Sequence, residues 1–209
     1  MKRPEYLIAA GLIGSVAIGA TSVGILWFAG RTVDPDWPAQ AAFDRPVWLA
    51  AGEVLGAIAC VLAAASLSFL AIRHGGSSAF VPLAVLCLAL SIPGVVIVTA
   101  LDLAYARAAQ DGVLEAIFFG QRWNWWSAVG WLLFAIVGFL GLVLLGIGLA
   151  RANRALRYPG LALVASLLVM LFVTYAGVLL AASLIWLALS VGRASSSLVG
   201  PGGDPLPAR

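Results

Sequence analysis

Apolar residues fill five long stretches of this chain, and most of the charged residues lie between them. The stretches are residues 6–30, 47–72, 78–104, 124–150 and 158–192. An α-helix rises about 1.5 Å per residue, so about 20 apolar residues cross the ~30 Å hydrocarbon core of a bilayer. Each stretch is long enough to cross. The pattern therefore predicts an all-α fold, a polytopic integral membrane helical bundle of about five transmembrane helices.

The composition agrees with this fold class. Of the 209 residues, 63% are hydrophobic and 10% are charged, whereas a soluble domain has about 25% charged residues. Residues 1–193 are predicted to form a single transmembrane domain. Residues 194–209 are rich in Ser, Gly and Pro, which predicts a disordered tail.

The fifth stretch has an ambiguous length. Residues 158–192 comprise 35 positions without a charged side chain. This is too short for two spans of ~20 residues with a turn between them, and long for one span. A single long, tilted helix is the favoured interpretation, and a re-entrant pair of helices is the alternative.

Basic residues predict the orientation in the membrane. The amino-terminal residues and the connections 73–77 and 151–157 together hold six Lys or Arg residues and one acid, Glu5. The longer connections, 31–46 and 105–123, mix Arg with Asp and Glu. The positive-inside rule then predicts a cytoplasmic amino terminus, a carboxyl-terminal tail outside, and a multi-pass protein of the cell (plasma) membrane. The net charge of +3 reflects this topology, and no nucleic-acid partner is predicted.

Two carboxylates lie within the predicted spans. Glu53 is about 9 Å into the second stretch along the helix axis, and Asp102 is near the end of the third, so both are expected at a similar depth. A carboxylate at the membrane centre costs about 3 kcal/mol on insertion scales unless it is neutralised, paired or hydrated. With Arg107 nearby, the pair is predicted to form either a structural clamp, which is favoured, or an outward-facing substrate or ion site.

Two further groups are predicted to contact lipid. Three arginines in the fourth connection are suited to lipid phosphates, and tryptophans near the start of the fourth stretch are suited to the headgroup region. These residues are Arg151, Arg154, Arg157, Trp123, Trp125 and Trp126. An interfacial anchor is the favoured role for the tryptophans, with a ligand cradle or a contact with another membrane subunit as alternatives.

Small residues recur along one face of the second stretch, at Gly52, Gly56, Ala59 and Ala63. Such a face lets another helix backbone approach closely, and it predicts tight helix packing.

Residues that carry common catalytic or metal chemistry are sparse. Cys60 and Cys87 lie inside apolar stretches, and the single histidine, His74, falls in the short connection 73–77. A zinc site needs about four N, S or O ligands, and a hydrolase needs a base beside its nucleophile. No metal, cofactor or catalytic residue is therefore predicted.

These features predict a non-catalytic accessory or scaffolding subunit of a membrane protein complex, acting through helix packing and outer-face contacts. Its expected partners are the lipid bilayer and other membrane subunits or a second copy of the chain. One alternative is a small transporter or channel-like protein with its acidic site at Glu53 and Asp102. A second alternative is an interfacial lipid or quinone enzyme, so an enzymatic role stays open but is not favoured.

Overall fold

A computed structural model describes residues 3–28, 46–76, 78–110, 125–170, 172 and 177–196. Over these ranges the chain is 96% helical and has no strand. The seven α-helices in this part of the chain are α1 Arg3–Phe28, α2 Pro46–His74, α3 Phe80–Gln110, α4 Trp125–Trp131, α5 Gly138–Ala152, α6 Arg157–Met170 and α7 Gly177–Ser196. A π-helical segment, Leu132–Val137, joins α4 to α5, and a 3-10 turn, Arg154–Leu156, precedes α6.

The first four predicted spans are confirmed as helices of membrane-crossing length. By length and composition, the segments able to cross are Pro4–Trp27, Val47–His74, Phe80–Ala104 and Ala128–Ala152. The fourth of these combines most of α4, the π-helical segment and α5. The predicted all-α membrane bundle is therefore confirmed, and the chain has the features of a multi-pass membrane protein in a lipid bilayer.

Helices α1 and α2 form an antiparallel pair with a tight seam. A Cβ atom added at Gly52 would lie 2.6 Å from Leu26 Cδ2, and one added at Gly56 would lie 3.0 Å from Ser22 Oγ. Ser22 Oγ also donates a hydrogen bond of 2.8 Å to the Gly52 carbonyl oxygen. The small face predicted on α2 is thus a packing face, and the helix that covers it is α1 of the same chain.

The remaining helices close a ring around one core. Helix α2 packs on α3, α3 on α5, α5 on α6, and α6 on α7. Helix α7 also packs on α1, which closes the ring. The hydrophobic core lies toward the end of the bundle where α2 ends at His74 and α5 ends at Ala152. Side chains with no exposed surface there include Leu12, Leu70, Leu149, Leu156, Leu163 and Leu187.

The fifth stretch is two helices rather than one. Ser183 Oγ on α7 donates a hydrogen bond of 3.2 Å to the Ala162 carbonyl oxygen on α6. In one continuous helix these two residues would lie about 31 Å apart along the axis. The favoured single tilted helix over 158–192 is therefore wrong, because the structure forms two helices in this stretch. The re-entrant path of the pair in the membrane remains a prediction. The paired arrangement buries Leu163 and Leu167 with Leu184 and Leu187 in the common core, whereas a lone helix would leave most of these side chains in lipid.

Helix α7 runs antiparallel to α6. The Phe172 N–H donates to the Val169 carbonyl oxygen at 3.0 Å, which holds Phe172 at the end of α6. Five residues from there to Gly177 extend at most about 18 Å. If α7 ran parallel to α6 with Ser183 beside Ala162, Gly177 would lie near the start of α6, about 21 Å from the end of that helix. The five residues cannot span this distance.

The carboxyl end of α7 consequently returns to the end of the bundle where α1 begins. The predicted sides of the membrane for the amino terminus and for the carboxyl-terminal tail remain predictions. Residues 194–196, predicted as disordered, belong to α7, and the rest of the predicted tail lies outside the described residues.

Candidate functional sites

Glu53 and Asp102 lie at one depth in the bundle. Glu53 precedes His74 by 21 residues on α2, and Asp102 follows Phe80 by 22 residues on α3. At about 1.5 Å per residue, each carboxylate is then about 32 Å from the short connection that joins the two helices. Glu53 is buried, with 9% of its surface exposed, and Asp102 is half-buried. Both take part in interactions, so neither carboxylate lacks a partner.

The other members of this predicted outer site fall partly outside the described residues. Arg107 lies on α3, five residues after Asp102, but its side chain is not among those described. Trp125 and Trp126 begin α4, again without described side chains, and Trp123 lies outside the described ranges. Their predicted roles in substrate binding and lipid contact remain predictions.

The predicted lipid-binding arginines surround the connection between α5 and α6. Arg151, Arg154 and Arg157 are all exposed. Asn153 shapes this connection, because its Oδ1 accepts a hydrogen bond of 2.9 Å from the Ala155 N–H and caps the 3-10 turn. The Arg151 guanidinium also lies 5.0 Å from the centroid of the Phe80 ring on α3, a cation–π contact that the sequence pattern does not reveal. Contact of the three residues with lipid phosphates remains a prediction.

A site that the sequence analysis missed lies where α1 begins and α2 ends. Glu5, in the first turn of α1, is buried with 6% of its surface exposed. Its Oε1 accepts hydrogen bonds from Arg73 Nε and Nη2, each at 3.4 Å. The register of the antiparallel α1–α2 pair is the signal for this contact. Facing residues have numbers that sum to 78: Gly52 with Leu26, Gly56 with Ser22, and Arg73 with Glu5. We call Glu5, Arg73 and His74 the Glu5 cluster.

His74 is the last residue of α2 rather than a residue of the following loop. The last helical hydrogen bond runs from Gly75 N–H to the Ala71 carbonyl oxygen at 2.8 Å. The helix stops there because Gly76 takes a φ of +62°, a conformation that glycine adopts without steric cost. In the part of the chain that the structure describes, two buried side-chain atoms have no hydrogen-bond partner, and both belong to this cluster: Glu5 Oε2 and His74 Nε2.

The described residues contain no group of three or more His, Cys, Asp and Glu side chains able to hold a metal ion. Cys60 and Cys87 are free thiols, half-buried and buried respectively. Comparison of the chain with protein-family models, curated proteins and solved structures finds no match.

Proposed function

We propose that the protein is a non-catalytic accessory or scaffolding subunit of a membrane protein complex. The observation that supports this function is an exposed face of small residues on α1. The face comprises Ala17, Ala20, Thr21 and Gly24, all of which are exposed, and we call it the α1 small face. Exposed Ile13 and Trp27 bound it along the helix.

The α1 small face has the spacing of a helix-docking surface. Ala17 and Thr21, and likewise Ala20 and Gly24, are four residues apart, as in the small-xxx-small pattern that lets two helix backbones approach in a membrane. A Cβ added at Gly24 would meet no atom within 4 Å. Thr21 Oγ1 donates to the Ala17 carbonyl oxygen at 2.9 Å, so its hydroxyl needs no partner from another chain.

Three glycines on other helices of the bundle face atoms of the same chain. A Cβ at Gly52 would meet Leu26 on α1, one at Gly141 would meet Cys87 on α3, and one at Gly146 would meet the backbone of α6. These positions hold the bundle together and leave no room for a partner helix. The sequence pattern does not separate them from the α1 small face, which is open for a second protein.

Charge at the bundle ends supports an orientation for this subunit. Arg73, Arg151, Arg154 and Arg157 lie at the end where α1 begins, and the return of α7 brings Arg193 toward the same end. Positively charged residues concentrate on the cytoplasmic side of membrane proteins. We therefore propose that this end faces the cytoplasm of the cell membrane and that the connections at the other end face outward.

Replacing Gly24 with leucine tests the docking role. The new side chain enters open space in the free protein, so the melting temperature in detergent is expected to stay within about 2 °C of wild type. Against a partner helix the same side chain is overpacked, which typically costs about 1–3 kcal/mol, or about 5- to 150-fold in association. The recovery of subunits that co-purify with wild type in mild detergent, quantified by mass spectrometry, is expected to fall accordingly.

Ala89→Leu is the matched control for this experiment. Ala89 is also exposed, but it lies on α3 beside the exposed Leu86 and Leu90, where another leucine extends a lipid-facing surface. It should keep both the melting temperature and the partners. Equal recovery from Gly24→Leu, Ala89→Leu and wild type would contradict a docking role for the α1 small face.

One observation favours a second function, a small transporter or channel-like protein with an outward-facing acidic site. Glu53 is a buried carboxylate within a membrane-crossing helix, at the same depth as Asp102. Buried intramembrane carboxylates commonly mark ion or proton pathways. No described observation favours the interfacial lipid or quinone enzyme.

Glu53→Gln separates the two functions. If Glu53 only ties helices together, the amide should lower the melting temperature, because a cationic partner is left poorly paired, and liposomes should show no ion or proton flux with either protein. If Glu53 carries an ion or proton, the variant should stay folded and lose a flux that wild type displays. Melting in detergent and flux in liposomes, measured on the same preparations, distinguish these outcomes.

A further inference from the structure

Two irregular helix segments lie at the same depth in the bundle. Pro93 lies inside α3, about 20 Å along the axis from the start of that helix at Phe80. The π-helical segment Leu132–Val137 interrupts the fourth span, and it ends about 22 Å before Ala152. Phe80 and Ala152 mark the same end of the bundle, since Arg151 lies over the Phe80 ring.

Each segment weakens the hydrogen bonding of its helix. Pro93 has no N–H, so the Ala89 carbonyl oxygen four residues earlier loses its helical partner. In the π-helical segment the Gly138 N–H reaches back to the Leu133 carbonyl oxygen, five residues earlier instead of four. Sharp bends in helices occur at prolines and at π-helical turns. Each of these two helices therefore has a built-in point for bending.

The two bending points are in direct contact. A Cβ added at Gly94 would lie 2.5 Å from the Phe134 backbone nitrogen and 2.9 Å from the Gly130 carbonyl oxygen. Beyond the bend the two helices stay packed, since a Cβ added at Gly130 would lie 2.8 Å from Ile97 Cγ2. The parts of the two helices beyond the bend can therefore move together.

Residues 94–104 of α3 and 128–131 of α4, which we call the hinged arm, are weakly anchored to the rest of the bundle. Among these described side chains, three residues are buried: Gly94, Val95 and Gly130. None of them belongs to the hydrophobic core, which reaches α3 and α5 at Leu88 and Leu145 on the other side of the bend. A segment with few buried apolar contacts opens at a low cost in free energy.

The α1–α2 pair is fixed at the same end of the bundle as the hinged arm. Ser22 Oγ donates to the Gly52 carbonyl oxygen at 2.8 Å, and Leu26 and Leu49 are buried. The tight seam of small residues continues there, so this pair has no comparable bending point. It provides a rigid body against which the arm can move.

We propose that the hinged arm swings as one body about Pro93 and the π-helical segment, relative to the α1–α2 pair. Asp102 lies on the arm and Glu53 lies on α2, so the swing changes the separation of the two carboxylates. It thereby opens and closes the acidic site of the transporter or channel-like function. This last step rests on that proposed function, whereas the swing itself does not.

Spin labels placed above and below the bend measure the swing. Val23→Cys with Ala104→Cys joins α1 to the hinged arm, and Leu7→Cys with Leu86→Cys joins the same two helices on the other side of the bend. All four positions are exposed. The labels are attached in a background without the native cysteines, Cys60→Ala and Cys87→Ala.

The two label pairs are expected to behave differently. A swing of about 20°, the size of a sharp helix kink, moves Ala104 by up to about 6 Å, because it lies about 16 Å beyond Pro93. Double electron–electron resonance in lipid nanodiscs should therefore give two Val23–Ala104 distances that differ by about 3–6 Å. The Leu7–Leu86 pair should give one distance.

Pro93→Ala tests the bending point, because alanine restores an N–H that can donate to the Ala89 carbonyl oxygen. One of the two Val23–Ala104 distances should disappear. Pro82→Ala is the matched control on the same helix. Pro82 is exposed in the first turn of α3, where an N–H has no helical partner, so both distances should persist.

The wild-type measurement is decisive even if a variant does not fold. A single Val23–Ala104 distance, as narrow as the Leu7–Leu86 distance, would overturn the proposed swing. Two distances that persist unchanged in folded Pro93→Ala would overturn it as well. Flux in liposomes, measured on the same preparations, tests the other claim: wild type with two distances and no ion or proton flux refutes the transporter function and leaves the swing standing.

Discussion

Gly146→Ala is expected to destabilise the bundle more than an alanine at a glycine that faces only a side chain. A Cβ at Gly146 would lie 2.6 Å from the Gly160 carbonyl oxygen, and a Cβ at Gly160 would lie 2.7 Å from the Gly146 carbonyl oxygen. Both obstacles are backbone atoms of helices, which cannot rotate away. Helices α5 and α6 must therefore separate, and overpacking of this kind costs about 1–3 kcal/mol.

A graded series of variants measures this effect. At about 2–4 °C per kcal/mol for a chain of this size, Gly146→Ala should lower the melting temperature in detergent by about 2–12 °C. Gly56→Ala should cost less, because the nearest atom is the Ser22 hydroxyl, and Gly56→Leu should cost more, because its larger side chain pushes α1 and α2 apart. Gly24→Ala adds a Cβ in open space and should be neutral or stabilising, since alanine favours a helix by about 1 kcal/mol over glycine. A melting temperature for Gly146→Ala equal to that of Gly24→Ala would contradict the close contact between α5 and α6.

The first four spans were predictable because membrane crossing depends on one quantity, the length of the apolar run. The packing face at Gly52 and Gly56 was also predictable, since small residues at spacings of three and four share one side of a helix. Its partner was not, because the pattern shows which face is small and not which helix covers it. For the same reason the sequence could not separate the buried glycine faces from the exposed α1 small face.

The helix pair in the fifth stretch had no local signal. The residues between Met170 and Gly177 include no proline and no charge. Hydropathy therefore shows no boundary between the two helices. The pairing of α6 with α7 is stabilised by tertiary packing, since each helix buries one face in the core. Its consequence is large, because it brings the end of α7 back toward the start of α1 in the bundle.

The Glu5 cluster was missed for a related reason. Glu5 and Arg73 are 68 residues apart in the sequence, and His74 looked like a loop residue beside two glycines. Only the register of α1 against α2 brings the three together. The similar depth of Glu53 and Asp102, in contrast, follows from counting residues along the helices that carry them, and a function for these two carboxylates remains a prediction.

Cysteine labelling should show that α7 ends on the side where α2 ends. In a background with Cys60→Ala and Cys87→Ala, Ser196→Cys and Ser78→Cys are expected to react with a membrane-impermeant maleimide from the same side, and Val47→Cys from the other. The reason is the α6–α7 pair, which enters and leaves the bundle at one end and adds no crossing to the four before it. A Ser196→Cys label that follows Val47→Cys would mean five crossings and would contradict the antiparallel pair. The side itself is a second result: the arginines near Ser78 and Ser196 predict the cytoplasm, and labelling of both from outside would reverse the orientation while leaving the helix pair intact.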